Sequence, residues 1–154
     1  MKKLLTVAIP AYNISEYIDK IIDSLLSTEK KNCLEILIVN DGSKDNTLEL
    51  AKEYESKNEE IIRVIDKKNG GHGSTINAAI KIASGKYFKV IDGDDWVDSK
   101  QLDLLLEKLE EIEDDMLVCG YTQVTSDDCE IKKIDSIPDL LEYDTTYEDR
   151  KSVV

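Results

Sequence analysis

Three carboxylates crowd into four residues, Asp92, Asp94 and Asp95, directly after the apolar run Tyr87–Ile91. Carboxylates this close repel one another unless a cation or protons intervene. Hard oxygen donors favour Mg²⁺ or Mn²⁺, ions that keep waters and share a substrate's phosphates. Gly93 between them lets backbone approach a ligand closely. The competing reading is a solvated turn in which one aspartate caps the next helix. A calcium loop of the EF-hand type is excluded, because its sixth and twelfth positions would be Val97 and Asp103 instead of Gly and Glu. An aspartyl nucleophile at Asp92 is conceivable, but Trp96 then occupies a place that suits a small or β-branched residue.

Two further stretches carry polar chemistry. Asp41-Gly42-Ser43 is a turn by composition, with an acid able to accept hydrogen bonds from a base or ribose. Asn69-Gly70-Gly71-His72-Gly73-Ser74-Thr75 sets three glycines before a predicted helix, where backbone amides can hold an anion. It is not a P-loop, since no Gly-Lys-Ser/Thr occurs. It is not a dinucleotide fingerprint either, since no third glycine completes the spacing. His72 is the only histidine; both an exposed loop side chain and a substrate contact fit it.

The elements that must position these residues read as strand and helix repeated four times. Strands are predicted over 4–9, 34–39, 61–65 and 87–91, the second and fourth as buried strands. Helices are predicted from Ser15 to Leu26, from Asp45 or Asn46 to about Ser56, from Ser74 or Thr75 to Ala83 with Gly85 as the stop, and from Asp98 or Ser99 to about Ile112. Residues 116–124 and 130–134 add strands, and Tyr143–Arg150 is helix or disordered. The economical solution is α/β: a mostly parallel sheet with helices on both faces. Ligands bind such sheets at the carboxyl edge. All four strands empty there into polar or Gly-rich loops: Pro10-Ala11-Tyr12-Asn13, Asn40–Ser43, Asp66–Gly73 and Asp92–Asp95.

The bulk numbers exclude some classes. With 154 residues the chain holds one domain with a real core, and 41% hydrophobic against 34% charged residues describes a soluble protein. No apolar run spans a bilayer, and the Met1–Leu5 start is too short for a signal peptide. The cytoplasm is the default, with membrane contact only through regions beyond this chain. Net charge is −13, and residues 101–150 hold 16 acids against 4 bases. Nucleic acid is therefore not the partner, as no basic stripe meets phosphates. Cys33, Cys119 and Cys129 read as buried free thiols.

The stretches VAIPAYN, EILIVNDGSKDNT and NGGHGSTINAAIKIASGKYFKVIDGDDW resemble, in order and spacing, the donor-binding part of family 2 inverting glycosyltransferases. The resemblance covers about residues 4 to 112. It implies the GT-A fold, a Rossmann-like nucleotide-sugar-binding domain with a mixed central sheet. By resemblance, Pro10, Ala11, Tyr12 and Asn13 border the nucleobase and Asp41 bonds the uracil or ribose. Asn69, Gly71, Gly73 and Ser74 flank the nucleotide. Asp92, with Gly93, meets the ribose, and Asp94, with Asp92 and Asp95, holds the Mg²⁺ or Mn²⁺ on the diphosphate. The donor would be a UDP-sugar, the acceptor an unidentified glycan or lipid-linked sugar, and the setting cell-envelope polysaccharide synthesis at the inner face of the membrane. Residues 1–134 are expected to form the donor domain and 135–154 an acidic tail that begins an acceptor region. The family's general base and its Gln-x-x-Arg-Trp segment do not occur before Val154; Glu148-Asp149 is a poor substitute, so the base is expected beyond Val154. A non-catalytic nucleotide-sugar-binding module is the alternative. A nucleotidyltransferase is disfavoured, as no basic Gly-rich loop follows the first strand. Self-association is left open.

Overall fold

The computed structural model describes residues 3–124 and the strand at 130–134. The chain divides into two compact units, Met1–Ile112 and Glu113–Val154. The first unit is a four-stranded parallel sheet, order β3-β2-β1-β4, built from β1 (Leu5–Ala11), β2 (Leu34–Asn40), β3 (Ile62–Asp66) and β4 (Tyr87–Val90). Helices α1 (Ile18–Leu26), α2 (Thr47–Lys57), α3 (His72–Ile80) and α4 (Ser99–Glu111) follow the strands in turn.

The alternation of faces along β1 and β2 sorts the core into two layers. Val7, Ile9, Ile36 and Ile38 pack with Ile18, Ile21, Ile22 and Leu25 of α1, Ala51 of α2 and Leu102, Leu106 and Leu109 of α4. Ala8, Leu37 and Val39 meet Ala79 of α3 on the other face. Helices thus cover both faces, as β2, buried along nearly its whole length, requires. Helix α1 has no side-chain cap. Its four buried apolar residues, each contributing about 1.5–3 kcal/mol, hold it by packing instead. Helix α4 is capped by Asp98, which accepts from the amides of Lys100 and Gln101.

Register makes one rim. Ala11 lies opposite Asn40, and Asn40 opposite Asp66, so three strands end level. At the other rim Glu35 ties the α3–β4 connection down. Its carboxylate accepts from the Thr6 hydroxyl (2.6 Å), the Ser84 amide (2.7 Å) and the Ser84 hydroxyl (2.8 Å).

The structure departs from several sequence expectations. Ser15 does not cap α1; its amide instead donates to Asp45. Helix α3 begins at His72, two residues early, and ends at Ile80. Gly85 is not its stop: a Cβ there would fall 2.5 Å from the Thr6 amide nitrogen, so the residue serves close approach to β1. Strand β4 is half exposed, since it forms the sheet edge among the described residues. The central sheet is wholly parallel. The antiparallel pair, β5 (Tyr121–Val124) with β6 (Glu130–Ile134), belongs to the second unit, and residues 116–120 precede it without strand structure. Cys33 is half-buried and Cys119 exposed, so neither is a core thiol. Cys129, Tyr143–Arg150 and Glu148-Asp149 lie outside the described residues.

Candidate functional site

The loop after β1 is stapled to the loop after β2. Asn13 takes a left-handed conformation (φ 54°) that few residues tolerate. Its amide donates to Ser43 Oγ at 3.1 Å, and its Oδ1 accepts from the Lys44 amide at 2.8 Å. The Ile14 amide donates to Thr47 Oγ1 at 2.9 Å. Asp45 completes the staple: Oδ2 accepts from the Ser15 amide (3.1 Å), and Oδ1 from the Thr47 amide (3.1 Å) and hydroxyl (2.6 Å). Burial opposes the charge on Asp45, but the Thr47 and Ser15 donors outweigh it and bring its pKa down to about 2.

Asp41 is 3% exposed at the floor of the rim. Its Oδ1 accepts from Lys67 Nζ (2.5 Å) and the Gly70 amide (2.9 Å), and its Oδ2 from the Gly71 amide (2.8 Å). Lys67 Nζ also donates to the Lys68 carbonyl and to Ser74 Oγ, each at 2.8 Å, which fills its three donors. Burial pushes the Asp41 carboxyl up; the lysine and the two glycine amides more than offset it and hold it below the usual aspartate range. Oδ1 has both lone pairs occupied, so one lone pair on Oδ2 is left for a ligand. Asp41 is thus first an anchor for the Gly-rich loop. Gly71, at φ 82°, makes the turn into α3 that a side chain would strain.

The acidic loop after β4 is built differently. Gly93 is buried against β1: a Cβ there would meet Ile14 Cδ1 at 2.6 Å and the Pro10 carbonyl at 3.1 Å. The Asp95 amide donates to the Asp92 carbonyl at 3.0 Å. Asp92 Oδ1 lies 2.9 Å from His72 Nε2, across from the Gly-rich loop. The side chains of Asp94 and Asp95 make no hydrogen bond or ion pair among the described residues. Burial, then the charges of Asp94 and Asp92, raise the Asp95 carboxyl above its usual range. Trp96 leaves the loop to lie beneath Lys20 of α1, whose ammonium sits 3.3 Å from the ring centroid.

Together the loops enclose a cleft of about 600 Å³. Among the sequence-predicted residues, Pro10, Ala11, Tyr12, Asn13, Asp41, Asn69, Gly71, Asp92, Gly93 and Asp94 line it. Gly73, Ser74 and Asp95 do not; Ser74 is turned to Lys67 and the Gly71 carbonyl. Ile14, Tyr17, His72 and Thr75 join the lining. Sequence reasoning missed Lys67 and Asp45. Their partners lie 26 and 30 residues away, and no local pattern marks them.

Among the described residues no three His, Cys, Asp or Glu side chains converge into a ready cage for a metal. Mg²⁺ and Mn²⁺ do not need one, since one or two carboxylates, waters and substrate phosphates suffice. The mutually repelling carboxylates of Asp92, held only by His72, and of Asp94 and Asp95 have the hard-donor chemistry such an ion takes.

A parallel sheet between helices, with four polar loops around one cleft at its carboxyl edge, matches part of a GT-A glycosyltransferase fold. The model of glycosyl transferase family 2 matches residues 6–152, and the chain belongs to that family. It is 39% identical over 127 residues to the glycosyltransferase EpsJ of Bacillus subtilis, covering 82% of this chain and 36% of EpsJ. It is 40% identical over 119 residues to chondroitin synthase of Pasteurella multocida, covering 77% of this chain and 12% of the synthase. Among solved structures it resembles residues 1–349 of S. aureus TarS in complex with UDP-GlcNAc, with a TM-score of 0.63 and 29% identity over 70% of this chain and 31% of that TarS fragment. The chain thus spans about a third or less of these relatives. No helix of the described residues is long and apolar enough to cross a membrane.

Proposed function

We propose that the cleft binds a nucleoside diphosphate sugar, uridine-based, and presents it for inverting transfer to a glycan or lipid-linked acceptor. The observation that carries this reading is the convergence of all four strand-end loops on one cleft, with Asp41 at its floor and Asp92 and Asp94 in its wall. TarS, solved with UDP-GlcNAc, supports the uridine donor, and the chondroitin synthase supports a glycan acceptor.

In this reading Pro10, Ala11, Tyr12 and Asn13 border the base, and Asp41 offers its remaining lone pair to a base or ribose donor. Asn69 and Gly71 flank the nucleotide, while Gly73 and Ser74 act through the shape of the first turn of α3. Asp92 faces the ribose. Asp94, with Asp92 and Asp95 beside it, holds Mg²⁺ or Mn²⁺ with the diphosphate. Such an ion, when bound, offsets the charge on the leaving diphosphate as the bond to sugar C1 breaks. None of the cleft carboxylates is assigned the role of general base.

Titration calorimetry with UDP tests the reading. Binding that strengthens in Mn²⁺ supports it; no heat with or without Mn²⁺ contradicts it. A turnover assay comparing this chain with one extended at its C-terminus separates an enzyme from a binding module.

A further inference from the structure

We propose that His72 is itself a ligand of the divalent cation, paired with Asp92, so that the site prefers Mn²⁺ to Mg²⁺. The inference rests on the metal-dependent reading above. It adds a nitrogen donor that the acidic loop alone does not supply.

The backbone beneath His72 is fixed. Asp41 grips the amides of Gly70 and Gly71 just before it. The Ser74 hydroxyl bonds the Gly71 carbonyl at 2.7 Å, and the Thr75 hydroxyl bonds the His72 carbonyl at 2.6 Å. From this base the imidazole reaches across the cleft until Nε2 stands 2.9 Å from Asp92 Oδ1. Neighbouring ligands on an octahedral ion with bonds of 2.0–2.1 Å stand about 3 Å apart. The pair therefore already has the spacing of two adjacent ligands, and Asp94 lines the same cleft.

Stability does not account for the contact. His72 and Asp92 are 59% and 58% exposed, and a contact between exposed partners contributes little to folding. Coordination uses the tautomer with its proton on Nδ1, so the Nε2 contact to Asp92 gives way to one bond from each side chain to the ion. Imidazole nitrogen is a poor match for Mg²⁺; Mn²⁺ also favours oxygen donors but, as a softer transition-metal ion, accepts one nitrogen among them more readily.

The sequence supplies an internal label, because His72 is the only histidine. Pulsed electron paramagnetic resonance of the chain with Mn²⁺ and UDP should show coupling to a directly bound imidazole nitrogen. His72→Gln should abolish that coupling and weaken Mn²⁺ binding by about tenfold or more. The same variant should leave Mg²⁺ binding within about twofold. Bound Mn²⁺ with no imidazole coupling overturns the assignment of His72 and leaves the metal-dependent reading standing. No bound Mn²⁺ beside bound UDP overturns both.

Discussion

The two acidic loops of the cleft use the same residue for opposite ends. After β2, Asp41 and Asp45 are engaged within the fold: every carboxylate oxygen accepts from an amide, a hydroxyl or an ammonium of this chain, and Asp41 keeps one lone pair on Oδ2. After β4, Asp92 has one histidine contact, and Asp94 and Asp95 have no hydrogen-bond or ion-pair partner among the described residues. Internal donors depress Asp41 and Asp45, whereas burial and like charges raise Asp95. A carboxylate so engaged has done most of its binding within the fold. An unsaturated one is available to a ligand. The β2 acids build the cleft, and in the proposed reading the β4 acids serve its ligand.

The contrast breaks first, if it breaks, at Asp41. Asp41→Ala leaves two glycine amides and the Lys67 ammonium without their acceptor. Stability should fall by on the order of 2–4 kcal/mol, read by urea unfolding, short of the fully buried range because Lys67 keeps some solvent. UDP affinity should fall with or without metal. Gly93→Ala comes next. The new methyl group would press on Ile14 and the Pro10 carbonyl, for a loss of about 1–3 kcal/mol in the same measurement.

Acid sharpens the contrast. Asp45 titrates at about 2 when folded against 3.8 for an ordinary aspartate, and Asp41 is lowered in the same direction. A depressed carboxyl stabilises the fold above its unfolded pKa and loses that contribution as pH falls through the folded one. Unfolding midpoints should therefore drop between pH 4 and 2. Asp45→Asn should be less stable near neutrality by about 1–2 kcal/mol and should show a shallower acid loss. An equally steep loss in the variant would remove Asp45 from the staple.

Much of the scaffold is legible in the sequence because it is written in short-range patterns. The continuous apolar run at 34–39 reads as a strand buried on both faces, and β2 is one. The spacing of Ile18, Ile21, Ile22 and Leu25 reads as one helix face, and all four are buried against the sheet. Asp98 reads as a cap and accepts two amides. The rest depends on contacts between distant residues. Gly85 looks like a helix stop, yet its reason is β1, 79 residues earlier along the chain. The turn composition around Asp41 shows an acid at a strand end. It does not show that Lys67 and two glycine amides occupy most of its lone pairs. Asp45 and Ser15 each look like caps for their own helices; Asp45 does accept from the first amide of α2, but Ser15 caps nothing and its amide donates to Asp45 across two loops. Periodicity locates elements; it does not say which polar group is spent on another element.

The most direct test of the division between building and binding acids is Asp94→Ala, followed by urea unfolding and by calorimetric titration of UDP with and without Mn²⁺. Stability should stay within about 0.5 kcal/mol of the parent, as for an exposed side chain without partners. The Mn²⁺-dependent gain in UDP affinity should disappear while metal-free binding persists. A variant that keeps the full Mn²⁺-dependent gain, or one that unfolds as readily as Asp41→Ala, would contradict the account.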